Sequence, residues 1–406
     1  MAWVEKISRN AWRVRYWKDD GDLGSVPGFR SKMSADQHAA DIEAERRAGT
    51  FIDPAAGKTS VSQWVHDWIP ALDVDIRTEE NYASILRCHI LPRWGDSCIA
   101  DISGIHVASW TKTLRAAGLA PATVSGIMKL FTMILGDAVA ERLIAYNPVQ
   151  PRRRGRTRSI RPVEQVWATP QEVLNVADQV ARCYHPCGAM LIITAAWTGG
   201  RWGELTGLHR NNLHLDDGRL VIDPHLGALH ESNDAKLWLG PPKNAGSART
   251  ITLPDFLIPL LHQHLQAVDS DLVFVTPDGA WHRRSNFARR ALRPAADGDS
   301  YPERSADSTG EMPFRAASRR TVLVKPGLTF HGLRHSHKTW MISDGVPEIA
   351  QSRRLGHVLH DRIQQTYSHV AVEVEHRLLQ GLGDRWDKAV ANAHIDARDT
   401  NYREQG

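Results

Sequence analysis

The first fifty residues change their pattern of hydrophobic and polar positions once. Residues 1 to about 33 alternate polar with apolar or aromatic side chains, as in AWRVRYW, and the turn-forming runs DDGDLG and VPG interrupt this alternation. Such alternation is typical of half-buried strands. The run SADQHAADIEAERRAG that follows has the apolar spacing of a helix. The pattern predicts a domain over residues 1–50 that consists of a small sheet and one helix.

Helical spacing dominates the rest of the chain. Residues 59–147 contain four segments with apolar residues at helical intervals, the last of which is APATVSGIMKLFTMILGDAVAERLIAYNP. Residues 164–388 are predicted to be helical with a small sheet built from DDGRLVI, a hairpin arm through LHESNDAKLWL, and RTITL; residues 389–406 form a polar tail. The expected fold class is mainly α with small β-sheets (α+β), and 406 residues predict two or three domains.

Arginines are concentrated at two places. The segment NPVQPRRRGRTRSIRP has almost no apolar residue and indicates an interdomain linker, while WHRRSNFARRALR lies on a predicted helix. Solvated surface is one interpretation of both clusters, and neutralisation of DNA phosphates is the interpretation that we favour. The arginines expected to contact DNA are Arg152, Arg153, Arg154, Arg156, Arg158, Arg283 and Arg284.

Composition narrows the class of protein only a little. The formal net charge of +4 permits nucleic-acid binding, and no apolar run comes near the length of a membrane span, so we expect a cytoplasmic protein without membrane contact. Four cysteines are too few for a disulfide framework. Cys183 and Cys187 flank His185, but a second ligand pair is missing, and we expect buried thiols rather than a metal site.

Three short motifs carry side chains suited to chemistry at phosphorus. AWTGGRWGELTGL contains Arg201, LTFHGLRHSHKTW contains His331 and Arg334, and RRLGHVLHDRIQQTYSHV contains His357 and Tyr367. Arginines and histidines can donate to the non-bridging oxygens of a phosphodiester, whose negative charge grows in the transition state. A tyrosine can attack phosphorus and keep the bond energy in a phosphotyrosyl intermediate.

Each of these residues has an ordinary structural interpretation when it is considered alone. Arg201 could be a helix-end cation paired with Glu204, and Tyr367 could fill the core beside a helix. The many histidines around Arg334 could suggest metal binding. The ordered set of motifs favours catalysis over these alternatives.

The order and spacing of the motifs strongly resemble the tyrosine recombinase (phage integrase) family, over roughly residues 59–388 and more weakly to the N-terminus. The resemblance implies a site-specific recombinase that cuts and rejoins DNA through a 3′-phosphotyrosyl intermediate and a Holliday junction, with no cofactor and no metal. It also implies that residues 1–50 bind arm-type DNA sites, residues 59–147 form a helical core-binding (SAM-like) domain, and residues 164–388 form the catalytic domain.

The same resemblance assigns roles to single residues. Arg201 and Arg334 are expected to clamp the scissile phosphate, His331 to donate to it or handle the proton of the nucleophile, His357 to stabilise the transition state, and Tyr367 to attack. Two further residues complete the set: Lys243, in the P-K-N-x-x-S-x-R pattern of an expected β-hairpin loop, would protonate the leaving oxygen, and Glu204 would orient the site.

Two features depart from the family pattern without removing a catalytic residue. Gly200 stands where the family has Leu or Met, which would add backbone freedom before Arg201, and residues 297–327 form a long polar insert, expected to be a loop.

The resemblance also implies partners. These are double-stranded DNA attachment sites and three further copies of the chain in a tetramer, with a DNA-bending host factor or a directionality factor as further candidates. The segment after Tyr367 is apolar at helical spacing and is expected to dock on a neighbouring subunit through Val372, Leu378, Leu379, Leu382, Trp386 and Val390. The segment TFIDPAAGK is expected to tether the N-terminal domain.

Two other functions stay open from the sequence. A type IB topoisomerase or telomere resolvase shares the tyrosine and arginine chemistry. A catalytically silent DNA-binding protein could keep the same fold, although a binding role alone would not require all six candidate catalytic residues.

Overall fold

The computed structural model describes residues 1–18, 21–53, 55–149, 164–298, 321–357 and 370–404, with side chains up to residue 393 apart from that of Ala245. The chain divides into two compact units, Met1–Ser159 and Ile160–Gly406.

The N-terminal part of the first unit is an antiparallel sheet followed by a helix, as the sequence predicts. Strands β1 (Ala2–Ser8), β2 (Ala11–Trp17) and β3 (Leu23–Phe29) pair in that order. Helix α1 (Lys32–Arg47) is capped at its N-terminus by Ser31, whose hydroxyl accepts a hydrogen bond from the Ser34 N–H. Val14 and Tyr16 of β2 face α1 and are fully buried with Ala35 and Ile42. The alternation in AWRVRYW therefore arises because only one face of the sheet is covered.

The start of the expected tether belongs to this small core. Phe51 is buried against Tyr16, with the ring centroids 5.5 Å apart, and the Tyr16 hydroxyl donates a hydrogen bond to the Asp53 carboxylate. Burial, and then the contact with the Asp53 carboxylate, raise the pKa of Tyr16 well above its ordinary value. Phe51 and Asp53 of the segment TFIDPAAGK are thus fixed to the sheet, and the prediction that this segment tethers the N-terminal domain stays a prediction.

A helical bundle with its own core follows in the same unit. It contains α2 (Val61–Trp68), α3 (Ile76–Ile85), which continues through the π-helical turn Leu86–Ile90 into α4 (Leu91–Trp94), then α5 (Gly104–Ala116) and α6 (Pro121–Ala140). Trp94, Trp110 and Phe131 pack ring against ring at its centre, with centroids 5.6–5.8 Å apart.

Helix α6 is long and apolar enough to cross a membrane by length and composition, so the expectation that no such run exists was wrong. Its apolar residues, including Ile127, Phe131 and Ile134, are instead buried in the core of the bundle. Core packing therefore accounts for its composition.

The second unit begins with helices and continues into two small sheets. Helices α7 (Pro170–Cys183), α8 (Pro186–Thr198) and α9 (Trp202–Thr206) precede strands β4 (Leu213–His214) and β5 (Arg219–Ile222), the hairpin of β6 (Ala228–Glu231) with β7 (Leu237–Gly240), and β8 (Arg249–Thr252). The strand order is β4-β5-β8 in one sheet and β6-β7 in the other. Helix α8 is buried on nearly all sides, which explains its continuous apolar sequence.

The remaining helices enclose the same core. They are α10 (Leu257–Ala267), α11 (Arg284–Phe287), which continues through the π-helical turn Ala288–Leu292 into α12 (Arg293–Asp297), then α13 (Phe330–Ser343), α14 (Glu348–Leu355) and α15 (Val372–Glu404). Of the insert 297–327, the two ends are joined by a hydrogen bond of 2.8 Å from the Gly327 N–H to the Asp297 carboxylate, and residues 299–320 lie outside the described residues.

The last helix packs on its own chain. Leu378 and Leu382 are buried, the Trp197 indole donates a 3.1 Å hydrogen bond to the Leu382 carbonyl, and the Trp386 ring stacks on Phe256 with the centroids 4.3 Å apart. The expectation that this apolar face docks on a neighbouring subunit is therefore wrong for its central residues. Within the chain, this face covers Trp197 of α8, which is fully buried.

Candidate active site

Arg201 lies at the junction between two helices. Helix α8 ends at Gly199, whose φ of +68° is left-handed, and a Cβ at that position would lie 2.6 Å from a Leu355 methyl carbon and 2.9 Å from the His337 ring. Helix α9 begins directly after Arg201. The Arg201 guanidinium donates from Nη1 to the Ser247 hydroxyl at 2.8 Å and from Nη2 to the Gly356 carbonyl at 3.2 Å. A glycine turn thus brings Arg201 to the turn that precedes His357.

Gly200 is also required for packing. A Cβ there would lie 2.7 Å from the Leu205 Cγ, and the backbone φ is not in the left-handed region. Close approach of Leu205, rather than backbone freedom, therefore explains the glycine where the family has Leu or Met.

Glu204 joins two arginines and is 2% exposed. Its carboxylate accepts from the Arg201 backbone N–H at 2.9 Å, from Arg201 Nη1 at 2.6 Å, and from both Nη atoms of Arg249 at 3.2 and 3.0 Å. Burial alone would raise the pKa of this carboxyl, but Arg249 and Arg201 together outweigh burial and lower the pKa below its ordinary value. Glu204 is therefore an ionised anchor for two cations.

Arg334, on α13, is 4% exposed and is held by two backbone carbonyls. Its Nη1 donates to the Gly199 carbonyl at 2.7 Å, and its Nη2 donates to the Leu355 carbonyl. Burial, followed by the charges of Arg201 and Arg249, lowers the pKa of Arg334 to about 9. The guanidinium still carries its charge at neutral pH, in surroundings where an anion would be stabilised.

Two histidines, His331 and His357, lie next to these arginines, and each ring is partly accessible to solvent. His331 is three residues before Arg334 on α13 and its ring meets His335 edge to face, with the centroids 4.7 Å apart. Partial burial, and then the charges of nearby groups that include Arg334 and Arg201, lower the pKa of both His331 and His357, the latter to about 4. Both imidazoles are therefore mainly neutral at pH 7, and each can donate one N–H.

The comparisons with known proteins concern the family and the fold of the chain. The sequence profile of the phage integrase family matches residues 168–373, half of the chain. The chain belongs to the phage integrase family. It is a tyrosine recombinase, and hence an enzyme of site-specific DNA recombination.

Relatives of this integrase extend over most of its length. It is 25% identical to the putative prophage phiRv2 integrase of Mycobacterium tuberculosis, over 87% of this chain and 88% of the relative, and 26% identical to the integrase of Mycobacterium phage D29, over 52% and 53%. Among solved structures, the Tn1549 transposon integrase in complex with transposon right end DNA has a TM-score of 0.58 at 15% identity, covering 80% of this chain and 100% of that chain. That structure shares the fold of this chain. Neither a topoisomerase-like enzyme nor a silent DNA-binding protein is favoured.

Lys243 of this integrase lies in an exposed loop, but that loop is not the turn of a hairpin. The strand before it, β7, pairs with β6, whereas the strand after it, β8, pairs with β5. The expectation of a β-hairpin around Lys243 was therefore wrong: the loop connects two separate sheets. The prediction that Lys243 is the general acid stays a prediction.

Several other candidates fall outside the described part of the chain. They are Tyr367 and the linker arginines Arg152, Arg153, Arg154, Arg156 and Arg158. Their roles stay predictions.

The second arginine cluster divides by environment. Arg283 is half-buried, donates to the Ala235 carbonyl and lies 3.7 Å from the Glu231 carboxylate, so it helps to hold the β6-β7 hairpin. Arg284 is exposed, and its backbone N–H donates to Glu231 at 3.2 Å. That Arg283 and Arg284 contact DNA stays a prediction.

Sequence reasoning did not assign functions to four polar residues that support the site. Ser247 and Arg249 stand at the end of the same P-K-N-x-x-S-x-R pattern as Lys243, so a signal for them was present. His337 and Arg354 are buried side by side, with Arg354 Nε donating to His337 Nε2 at 2.9 Å. Nothing in the sequence indicated that these two residues meet, because His337 lies on α13 and Arg354 lies on α14.

The expectation of a buried thiol is confirmed for Cys187. Cys187 is 1% exposed, its sulfur accepts a hydrogen bond from the Val275 N–H at 3.2 Å, and burial raises the pKa of the thiol to about 11. Cys183 is half-buried. Within the described ranges, the structure places no three His, Cys, Asp or Glu side chains where they could hold a metal ion.

Proposed function

We propose that this integrase cuts and rejoins DNA at specific sites through a 3′-phosphotyrosyl intermediate and a Holliday junction, and so integrates or excises a phage or another mobile element. One observation carries the assignment of the site. Arg201 and Arg334 bind the successive carbonyls of Gly356 and Leu355, directly before His357. Residues from three separate sequence motifs thus meet at one turn.

The hydrogen bonds of the two arginines leave donors for a phosphate. A guanidinium has five N–H groups. Within the described residues, Arg201 uses three of them, on Glu204, Ser247 and Gly356, and Arg334 uses two, on Gly199 and Leu355. Two N–H groups of Arg201 and three of Arg334 are left, which is enough for both non-bridging oxygens of a phosphodiester.

The other proposed roles follow from chemistry at phosphorus. Tyr367 attacks and the 3′ phosphate is transferred to its phenol oxygen, while the 5′ oxygen leaves with a proton from Lys243. His331 and His357, both neutral at pH 7, donate one N–H each or take the tyrosine proton. Glu204 fixes Arg201 and does not meet the substrate.

DNA is proposed to contact this chain in each of its three proposed domains and along the linker between the second and the third. The outer face of the N-terminal sheet carries Arg13 and Arg15, both held by Glu5 at 2.8 Å, next to exposed Trp17, and such a polar and aromatic face suits arm-type sites. The bundle at residues 59–147 and the catalytic unit would hold the crossover site, with the linker arginines along the backbone. The proposed domains are residues 1–50, 59–147 and 164–388, with the tail at 389–406.

We also propose that four copies act together on two paired sites in the host cytoplasm, with a DNA-bending or directionality factor as a further partner. A lambda integrase tetramer bound to a Holliday junction shares the fold, with a TM-score of 0.50 at 16% identity over 91% of this chain and 100% of that chain. Because the face of α15 that carries Leu382 is buried against Trp197 in its own chain, contacts between the copies would use surfaces other than that face.

The test is the capture of a covalent complex. The full chain is mixed with a nicked duplex that carries its core site, selected from a random library, and the products are separated in detergent. We expect a protein-DNA band from the wild type and none from Arg334→Ala at equal site occupancy. A wild-type protein that binds the site and forms no such band would refute the proposal in favour of a silent DNA-binding protein.

A further inference from the structure

Arg354 is a buried cation that the proposed mechanism does not use. It is 7% exposed, and its guanidinium donates to His337 Nε2 at 2.9 Å, to the Thr252 carbonyl at 3.0 Å and to the Trp197 carbonyl at 3.1 Å. These acceptors come from α13, β8 and α8. Arg354 therefore ties three elements of the catalytic unit to the end of α14.

His337 is held in one tautomer by this arrangement. Its Nδ1 lies 2.9 Å from the Ala196 carbonyl, which can only accept, so Nδ1 carries the proton and Nε2 accepts from Arg354. The ring is fully buried, and burial together with the Arg354 charge keeps its pKa well below the ordinary value. A neutral histidine is thus a fixed acceptor for the arginine.

The last helix supplies a negative charge for the same cation. Glu375, in the first turn of α15, accepts a 2.5 Å hydrogen bond from the Thr252 hydroxyl, while the Thr252 carbonyl accepts from Arg354. Burial lowers the pKa of Arg354 to about 10, and the charge of Glu375 opposes that shift. The Glu375 carboxylate, which is bound to the Thr252 hydroxyl, therefore stabilises the charged form of Arg354, which is bound to the Thr252 carbonyl.

Arg354 directly precedes the turn that both phosphate-binding arginines use. The carbonyl of Leu355 accepts from Arg334, that of Gly356 accepts from Arg201, and the Arg354 carbonyl itself accepts from Arg249 Nε at 2.7 Å. Three successive carbonyls thus bind three different arginines. Together with Glu204, Ser247 and the Gly199 carbonyl, these carbonyls fix the direction in which the guanidinium groups of Arg201 and Arg334 point.

We infer that Arg354, held by His337 and charge-balanced by Glu375, is a positioning residue that sets the aim of Arg201 and Arg334 on the scissile phosphate. It does not touch DNA. Its side chain binds one imidazole and two backbone carbonyls, and so fixes the last turn of α14. The carbonyls of that turn hold Arg201 and Arg334. This inference rests on the proposed function, because the arginines must act on a phosphate for their aim to matter.

The inference predicts a specific effect of Arg354→Lys. Lysine keeps the charge but lacks the planar fork that spans three acceptors, so the turn should shift by a fraction of an ångström or more. Site affinity should stay within about twofold, while single-turnover formation of the covalent complex on the nicked duplex should slow about 10- to 100-fold, the usual cost of misplaced catalytic groups. Glu375→Gln, which keeps the acceptor for Thr252 and removes only the charge, should give a smaller loss in the same direction.

A matched control is available on α15. Arg385 is also an arginine with several hydrogen bonds, donating to Asp344 at 2.9 Å and to the Trp340 carbonyl at 3.4 Å, but it does not bind the 354–356 turn. Arg385→Lys should cleave at the wild-type rate. Equal slowing by Arg385→Lys would mean that general loosening of the catalytic unit, and not positioning, explains Arg354→Lys.

A double-mutant cycle with Arg334→Lys separates positioning from folding. A lysine side chain at position 334 cannot span the carbonyls of Gly199 and Leu355, so Arg354→Lys should cost less than about threefold in that background. Independent, multiplicative losses would overturn the inference, as would wild-type cleavage by Arg354→Lys. If Arg354→Lys does not fold, Glu375→Gln with an unchanged melting temperature carries the test. A wild-type protein without a covalent band would instead count against the proposed function.

Discussion

Glu204→Gln tests whether the active-site arginines depend on one buried carboxylate. Oε1 accepts from Arg201 Nη1 and Arg249 Nη1, and Oε2 accepts from the Arg201 backbone and Arg249 Nη2. Whichever oxygen becomes the amide nitrogen, two hydrogen bonds are lost and two N–H groups then face the new NH₂ group. The substitution keeps the size of the side chain but removes the charge that balances two cations.

The expected loss of stability is large. Removing one partner of a buried charge pair costs about 3–5 kcal/mol. In a domain of this size each kcal/mol lowers the melting temperature by roughly 2–4 °C, so a fall of about 6–20 °C is expected. Thermal unfolding followed by circular dichroism measures it, with covalent-complex formation as a second readout that should also fall.

Glu172→Gln is the matched control for this experiment. Glu172 lies 3.1 Å from Lys325 and is partly exposed, so its ion pair should contribute less than about 1 kcal/mol, and glutamine can still complete the cap at Thr169. If Glu204→Gln melts as Glu172→Gln does and cleaves normally, then Glu204 does not hold the arginines and the electrostatic reasoning fails.

The pH dependence of stability follows from the same carboxylate. Because the folded-state pKa of Glu204 is lowered, its contribution is fully present above the ordinary carboxyl pKa of 4.5 and is lost as the pH falls through the lower folded value. The difference in melting temperature between wild type and Glu204→Gln should therefore be constant from pH 6 to 8 and shrink only under acid conditions.

Four further predictions concern the nucleophile, the general acid and two structural elements. Tyr367→Phe should bind the core site normally and form no covalent complex, and excess chelator should not slow the wild type; cleavage by the phenylalanine variant would place the nucleophile elsewhere. Lys243→Ala should cleave about 10²- to 10⁴-fold more slowly, and a substrate with sulfur in place of the bridging 5′ oxygen should restore its rate, because a thiolate leaves without a proton; failure of this rescue would make His331 the next candidate. Deletion of residues 1–50 should leave cleavage of a core duplex unchanged and abolish integration between attachment sites, so normal integration would argue against an arm-binding domain. Trp386→Ala should lower the stability of the catalytic unit by roughly 3 kcal/mol in denaturant unfolding, because the ring stacks on Phe256 and meets Trp197; an unchanged midpoint would mean that α15 is not part of the domain core.

The sequence predicts best those features that depend on neighbouring residues along the chain. The strands of the N-terminal sheet are visible because one face is buried, so that Val14 and Tyr16 alternate with Arg13 and Arg15. The glycine turn before Arg201 and the motif around Arg334 are also local patterns.

The sequence does not predict which of several distant segments of the chain a helix or strand packs against. The apolar face of α15 indicates that Leu382 needs a partner, but the same pattern would fit a neighbouring subunit or the Trp197 surface. The strand-like runs on either side of Lys243 likewise suggest a hairpin, because nothing in their composition says that β7 pairs with β6 and β8 with β5. His337 and Arg354 are separated by a helix end, and each is an ordinary polar residue in sequence.

The charges around the turn explain why the site suits a phosphate. Arg201, Arg249 and Arg334 approach one another with Glu204 between the first two, and burial beside the other two cations is what lowers the pKa of Arg334 to about 9. A lowered pKa means that the charged form is destabilised relative to water, by free energy that an incoming anion can recover. Since backbone carbonyls already hold Arg334 in place, little reorganisation is needed when the phosphate arrives. The folded protein thus holds a cationic site ready for the scissile phosphodiester, and the same arrangement makes the unliganded site depend strongly on Glu204.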